Sequence, residues 1–193
     1  RLCLMFFAAL ACLPVRADDA QPAPGQNLQV SVQRDHDEFN VSASLLLAEP
    51  PCVVYAVLTD YTRLPEFIPG MQEIGVERIS EHEVRVKQVA IVRVLFFRIR
   101  MYSTVEMEET PNQLITFRQT DGDLAAYGGE WRLTPVREGT QLNYHASLSF
   151  KGYVPGFIAR AKLEQEIGTR FAAVEVEAQT RSRREARTCQ AGH

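Results

Sequence analysis

From Val84 to Phe150 the chain alternates apolar and polar residues through one segment after another. That period of two admits little besides antiparallel strands with one face covered and one solvated. Val84, Val86, Gln88, Ala90, Val92 and Val94 share a face, with Arg85, Lys87 and Arg93 opposite. In the next segment Phe97, Ile99, Met101, Ser103, Val105 and Met107 face inward. Arg98, Arg100, Tyr102, Thr104, Glu106 and Glu108 face outward. Pro111-Asn112 turns the chain, and Ile115, Phe117 and Gln119 face in. Asp121 to Gly129 reads as a polar loop. Trp131 and Leu133 then face in, and after the turn at Arg137-Glu138-Gly139 so do Leu142, Tyr144, Ala146, Leu148 and Phe150.

An apolar sheet face needs a cover, and the C-terminal region supplies one. After Pro155-Gly156 the apolar residues Ala159, Leu163, Ile167, Phe171, Val174 and Ala178 recur at threes and fours, the stripe of an amphipathic helix. At about 1.5 Å per residue this helix is long enough to cross the concave face of a sheet. Gly168 interrupts it at a cost of about 1 kcal/mol relative to Ala, either for close packing or to leave space for a bound molecule. From Arg181 onward the run RSRREAR reads as a charged tail that frays into solvent.

Upstream, Leu28, Val30 and Val32 alternate with polar residues. Asp35 to Glu38 turns, and Phe39, Val41, Ala43, Leu45 and Leu47 alternate again, giving a long first hairpin. The stretch PCVVYAVLTDYTRLPEFIPGM from Pro51 to Met71 breaks this pattern. Pro50 and Pro51 suit a first helical turn, where a missing N–H costs nothing. Asp60 is placed to cap a second short helix from Tyr61 to Phe67. Pro65, Pro69 and Gly70 then return the chain to strand, with Ile74, Val76 and Ile79 marking it. Two short helices therefore form a lid at one edge of a sheet.

The 193 residues, 46% apolar and 23% charged, fit a single domain with a sizeable core. A net charge of −3 with no basic face outside the last stretch gives no reason to expect nucleic acid as a partner. Leu2 to Leu13 has the length of a signal-peptide apolar region and is too short to span a bilayer. Val15-Arg16-Ala17 offers a cleavage site. The expectation is an exported protein of the bacterial periplasm: signal peptide 1–17, linker 18–27, ligand-binding domain 28–180 and charged tail 181–193. Cys52 and Cys189 remain after cleavage. They either pair, tying the tail to the first helix, or stay as two unpaired thiols, and the second is the expectation. Neither has metal-ligand neighbours, so no metal is expected.

Strand, two short helices, a meander of long strands and one long C-terminal helix is the order of the helix-grip fold. The segment VYAVLTDYTRLPEFIPGM, with Asp60-Tyr61, Pro65, Phe67 and Pro69-Gly70, resembles the START-like polyketide cyclase/dehydrase and coenzyme-Q-binding family. GEWRL at Gly129 to Leu133 and the closing helix are similar to it as well. The resemblance covers residues 28 to 180 and implies an α+β chain whose curved antiparallel sheet wraps around the long helix. It also implies a hydrophobic ligand held between the two. The leader sets this chain apart from the quinone-binding members, which act in mitochondria or cytoplasm.

No GxSxG, HExxH, CxxC, Walker A or GxGxxG is present, which removes the parts of a hydrolase, metalloprotease, redox or nucleotide site. By the alternation, the inward polar groups are Gln88, Ser103, Gln119, Tyr144 and the Trp131 indole. None titrates near neutral pH, as general acid–base catalysis requires. An apolar cavity with a few hydrogen-bonding groups is instead what a small-molecule site looks like. Tyr61 and Phe67 are expected at its mouth, with Met101, Phe117, Ile167 and Phe171 among its apolar walls. The reading is an exported binding protein for a lipid-like, quinone-like or polycyclic molecule, with no cofactor and with transient membrane contact. The alternative is a cyclase or dehydratase acting on a polyketide-like substrate, which needs Asp60 or Glu164 turned inward.

Overall fold

The alternation resolves into eight antiparallel strands in a computed structural model that describes residues 27–94 and 96–185. The first hairpin pairs β1 (Gln29–Asp35) with β2 (Glu38–Leu47). The helical pair follows: α1 (Pro51–Leu58), a 3-10 turn (Tyr61–Arg63) and α2 (Leu64–Phe67). Then come β3 (Met71–Arg78), β4 (Glu83–Val94), β5 (Phe97–Thr110), β6 (Leu114–Gly122), β7 (Leu124–Val136) and β8 (Gly139–Phe150). The chain closes on α3 (Gly156–Glu185). The spatial order is β1-β2-β8-β7-β6-β5-β4-β3, so β8 returns to pair with β2 and the helical pair bridges the two halves of the sheet. This is the expected helix-grip architecture, and the leader expected over residues 1–17 lies outside the described residues.

The inward positions read from the sequence form the core. Val41, Leu45, Leu47, Val105, Ile115, Leu142 and Leu148 are all buried. Ala159, Ile167, Phe171, Val174 and Ala178 of α3 meet them as one stripe. Phe171 is fully buried, and burying such a ring contributes about 2–3 kcal/mol. α3 packs against β1, β2, α1 and α2. Gly129 permits the close approach of β7 and β8, since a Cβ there would collide with the His145 carbonyl oxygen.

Five expectations need correction. Asp121 to Gly129 is not a loop: β6 runs through Gly122, and β7 starts at Leu124 to pair with β8. The turn is tight because Asp123 accepts a 2.6 Å bond from the Tyr102 amide, while Lys151 donates to the Gly122 carbonyl. Asp60 caps nothing through its side chain and instead forms ion pairs with Arg63 and Arg181. Arg181 belongs to the helix, not to a frayed tail: it bonds the Ala56 carbonyl at 3.1 Å and Glu177 at 2.8 Å. Its Nη2 also lies 2.9 Å from the Asp60 carboxylate, too obliquely for a hydrogen bond. Phe97 and Ile99 lie on the inward side of β5 yet stay exposed, because their part of the hairpin runs past its neighbours. Cys52, in the first turn of α1, is disulfide-bonded, which replaces the expected free thiol. Cys189 lies outside the described residues.

Nothing lies within 4 Å of where a Cβ on Gly168 would stand, so the residue does not serve close packing. Gly168→Ala is expected to raise stability by about 1 kcal/mol in chemical denaturation, through helix propensity alone.

Candidate functional site

The space between sheet and α3 is divided into a filled half and an open half. Five rings fill the first. Trp131 of β7 lies 4.5 Å from Tyr144 of β8 and 5.2 Å from Phe171 of α3, between ring centroids. Phe117 of β6 stacks on Tyr144 at 5.9 Å and meets Tyr127 at 5.0 Å. The Tyr127 and Tyr144 hydroxyls lie 3.3 Å apart. Burial, then the nearby Tyr127 hydroxyl, pushes the Tyr144 phenol well above its ordinary value, so it stays protonated as a hydrogen-bonding group. The cross-strand register sets this cluster, because Trp131 pairs with Tyr144 and Ile115, and Gly129 sits opposite Phe117.

The open half lies along β4, β5 and β6, which α3 does not cover as it covers β1 and β2. Gln88, Ala90, Met101, Ser103 and Gln119 all keep partial solvent exposure there. On α3, Leu163 is half-buried and Ile167 buried. Gln119 is engaged at both ends of its amide: its carbonyl accepts from the Ser103 hydroxyl at 3.1 Å, and its NH2 donates to the Leu124 carbonyl at 3.0 Å. That pair of bonds stitches the irregularity between β5 and β6 to the start of β7. Gln88 makes no side-chain hydrogen bond among the described residues. It is the inward amide left for an incoming polar group.

The ten residues singled out from the sequence therefore divide. Phe117, Trp131, Tyr144 and Phe171 form one aromatic floor, and Gln88, Met101 and Gln119 share the open wall, with Ile167 buried in the core. Phe67 packs beneath α3, with the Arg181 guanidinium 5.9 Å from its ring centroid. Tyr61 is not at a mouth: it is buried with Val84 and Val86, and its hydroxyl donates to Glu109 at 2.7 Å.

Glu109 escaped the sequence reading, although one more step of the β5 alternation after Met107 places it inward. It is only 6% exposed and faces the helical pair, not the cleft. Tyr55 donates to it at 3.3 Å, and Arg78 stands 3.8 Å away. Burial, followed by the Glu109 charge, pushes Tyr55 up to about 12. Burial, followed by the hydrogen bond to Glu109, pushes Tyr61 further in the same direction. The cluster anchors α1 and the 3-10 turn to β5. A second buried carboxylate, Glu49, precedes α1 and is raised chiefly by burial. Its own backbone N–H pulls it down, Glu175 raises it and Arg183 lowers it.

The convex face carries two depressions of about 520 Å³ and 440 Å³. The first is walled by the Arg85–Glu106–Arg118 ion-pair row. In the second, Ser42 bonds His145 at 3.1 Å, but the neighbouring Glu130 is held by Arg132, so no catalytic triad forms. Among the described residues no group of His, Cys, Asp and Glu could hold a metal. No helix among them is long and apolar enough to cross a membrane.

The profile described as polyketide cyclase / dehydrase and lipid transport matches residues 47–175, from the end of β2 to well into α3. The chain belongs to this family. Its fold is similar to that of a STAR-related lipid transfer protein from Xanthomonas axonopodis, with a TM-score of 0.65 and 16% identity over 83% of this chain and 97% of that one. An aromatase/cyclase from Streptomyces sp. R1128 gives 0.62 and 18%, over 79% and 98% of the two chains. A START superfamily protein from Mycobacterium smegmatis gives 0.61 and 14%, over 73% and 97%. Likeness at these identities carries the fold alone. A comparison with curated proteins finds no match. The family as a whole spans binding of lipids and other hydrophobic molecules and aromatase/cyclase chemistry, and it implies a hydrophobic small molecule as partner.

Two predictions concern the buried carboxylates. Glu109→Ala strands two tyrosine hydroxyls and should cost about 3 kcal/mol in denaturant unfolding, with Tyr61→Phe costing about half as much. Folded Glu49 holds its proton to higher pH than the unfolded chain does. Stability should therefore fall as pH rises from the ordinary glutamate range to the raised folded value, then level off. Glu49→Gln should abolish that slope and leave the protein about 1 kcal/mol more stable at neutral pH.

Proposed function

We propose that this protein is an exported holder of a hydrophobic molecule, lipid-like, quinone-like or polycyclic, bound between α3 and the inner faces of β4 to β7. The observation that carries this reading is the half-open inner face: an aromatic floor built from Trp131, Tyr144, Phe117 and Phe171 adjoins a partly exposed wall. Such a wall gains about 25 cal/mol for each Å² of apolar ligand surface it removes from water. Gln88, the inward amide with no partner among the described residues, would orient a ligand carbonyl or hydroxyl. Gln119 and Ser103 would shape the wall, since their polar atoms already bond within the protein. In this reading the domain spans residues 28–180, with α3 continuing past it, and export follows cleavage after Ala17.

The cyclase or dehydratase alternative draws no support from the residues it requires. Asp60 is tied to Arg63 and Arg181, and Glu164 lies on the exposed side of α3, paired with Arg160 at 2.9 Å.

Native mass spectrometry of the protein purified from its own cell envelope should show a stoichiometric adduct that organic solvent extracts. Trp131 is the sole tryptophan, so its fluorescence reports on the floor directly. Titration with the extracted compound should quench or shift it, and Gln88→Ala should weaken binding about five- to tenfold. A clean apo mass, together with no Trp131 response across a lipid, quinone and polycyclic set, would refute the reading.

A further inference from the structure

The β4–β5 hairpin outruns the sheet. β6 stops pairing with β5 at Gly122, opposite Ser103. On the other side, β3 begins at Met71 opposite Ala90, and the Ile91 amide makes a last 2.8 Å bond to the Gly70 carbonyl. β4 and β5 nevertheless remain paired with each other as far as Val94 and Phe97. The end of the hairpin thus projects by about 10 Å as a two-stranded ribbon without neighbours.

That ribbon carries two costs that nothing within the described protein relieves. Its register sets Arg93 directly opposite Arg98, a like-charge pair that destabilises a ladder. Neither guanidinium has an acidic partner among the described residues, whereas Arg100 is held by Glu73 at 2.7 Å. At the tip Phe96 is 89% exposed and Phe97 66%, their rings meeting edge-on at 6.2 Å. The segment joining β8 to α3 leaves the fold at the same end, where Lys151 donates to the Gly122 carbonyl at 2.6 Å. It presents Tyr153 at 85% exposure, and the first turn of α3 presents Phe157 at 78%. The four exposed rings therefore sit at one end of the sheet, on the hairpin tip and around the start of α3.

We propose that the β4–β5 tip and the β8–α3 segment form a docking surface for an anionic lipid bilayer. Phe96, Phe97, Tyr153 and Phe157 enter the headgroup region, and Arg93 and Arg98 pair with lipid phosphates. Guanidinium groups bind phosphate in a bidentate geometry, which turns the unfavourable arginine pair into a two-point anchor. Aromatic rings settle at the headgroup level, where one side is apolar and the other wet. This goes beyond the cargo reading, and it stands whether or not a ligand occupies the cleft.

The test uses the chain from Asp18, which keeps every strand and helix described above. It is sedimented with vesicles of phosphatidylcholine alone and with vesicles one third phosphatidylglycerol. The expected result is binding to the anionic vesicles that weakens as salt is raised. The Arg93→Gln/Arg98→Gln double variant should partition about thirty-fold less. Phe96→Ser/Phe97→Ser should lose about tenfold. Both pairs lie on exposed positions, so melting temperatures equal to wild type will show that the variants fold. Their Trp131 response to cargo should also be unchanged, which keeps a failure here separate from a failure of the cargo reading. Absence of binding to anionic vesicles, equal binding to neutral ones, or binding that both variants leave intact would overturn the proposal. The first of these outcomes would point to an acidic protein partner.

Discussion

The contact between the apolar stripe of α3 and the inner faces of β1, β2 and β7 carries the fold, because a curved sheet with one apolar face is unstable in water until that face is hidden. Phe171 sits at the centre of this contact, meeting Trp131 and Tyr144 together. The disposition of the other elements follows from it. The helical pair lies beside α3 and is pinned there by Arg181, which joins Ala56, Asp60 and Glu177. From beneath, Glu109 draws Tyr55 and Tyr61 onto β5. Two polar clusters thus hold the lid from opposite sides, while apolar burial supplies most of the stabilisation.

Because α3 lies toward β1 and β2, the sheet is not covered evenly. Aromatic rings close the gap near β7 and β8, and the β4 to β6 side stays accessible. A single helix laid across a strongly curved sheet cannot touch every strand, so an opening is a consequence of the architecture. The chemistry of that opening depends on side chains, here apolar and amide groups with the buried carboxylates turned elsewhere.

Most of the architecture was legible in the sequence, since faces follow directly from periods of two and of three to four. The strands from Val84 to Phe150, the first hairpin, the helical pair and the α3 stripe all have local signatures. What escaped is what periodicity does not encode. Glu109 continues the β5 alternation, but a carboxylate at an inward position is recognisable only once the tyrosines of the helical pair are brought over it. Arg181 belongs to a run that reads as a solvated tail, and two of its partners, Ala56 and Asp60, lie more than a hundred residues away in the chain. Phe97 and Ile99 keep the inward phase, but phase says nothing about where the neighbouring strands stop. Among the candidate site residues, the aromatic cluster followed from alternation, whereas the engagement of Gln119 depends on a local register shift that sequence does not show.

Among the described residues, the spatial order leaves β1 and β3 at the two margins of the sheet, each with one row of backbone groups that no described strand pairs. The margins are protected differently. β1 lies against α3, while β3 meets the 3-10 turn and α2 near its start and carries Gln72, Glu73, Glu77 and Arg78 on exposed positions. Charged side chains along an edge disfavour strand-to-strand association between copies, because each added strand would align or desolvate them. The eight-stranded sheet can therefore keep an accessible apolar interior without becoming a template for fibrous growth.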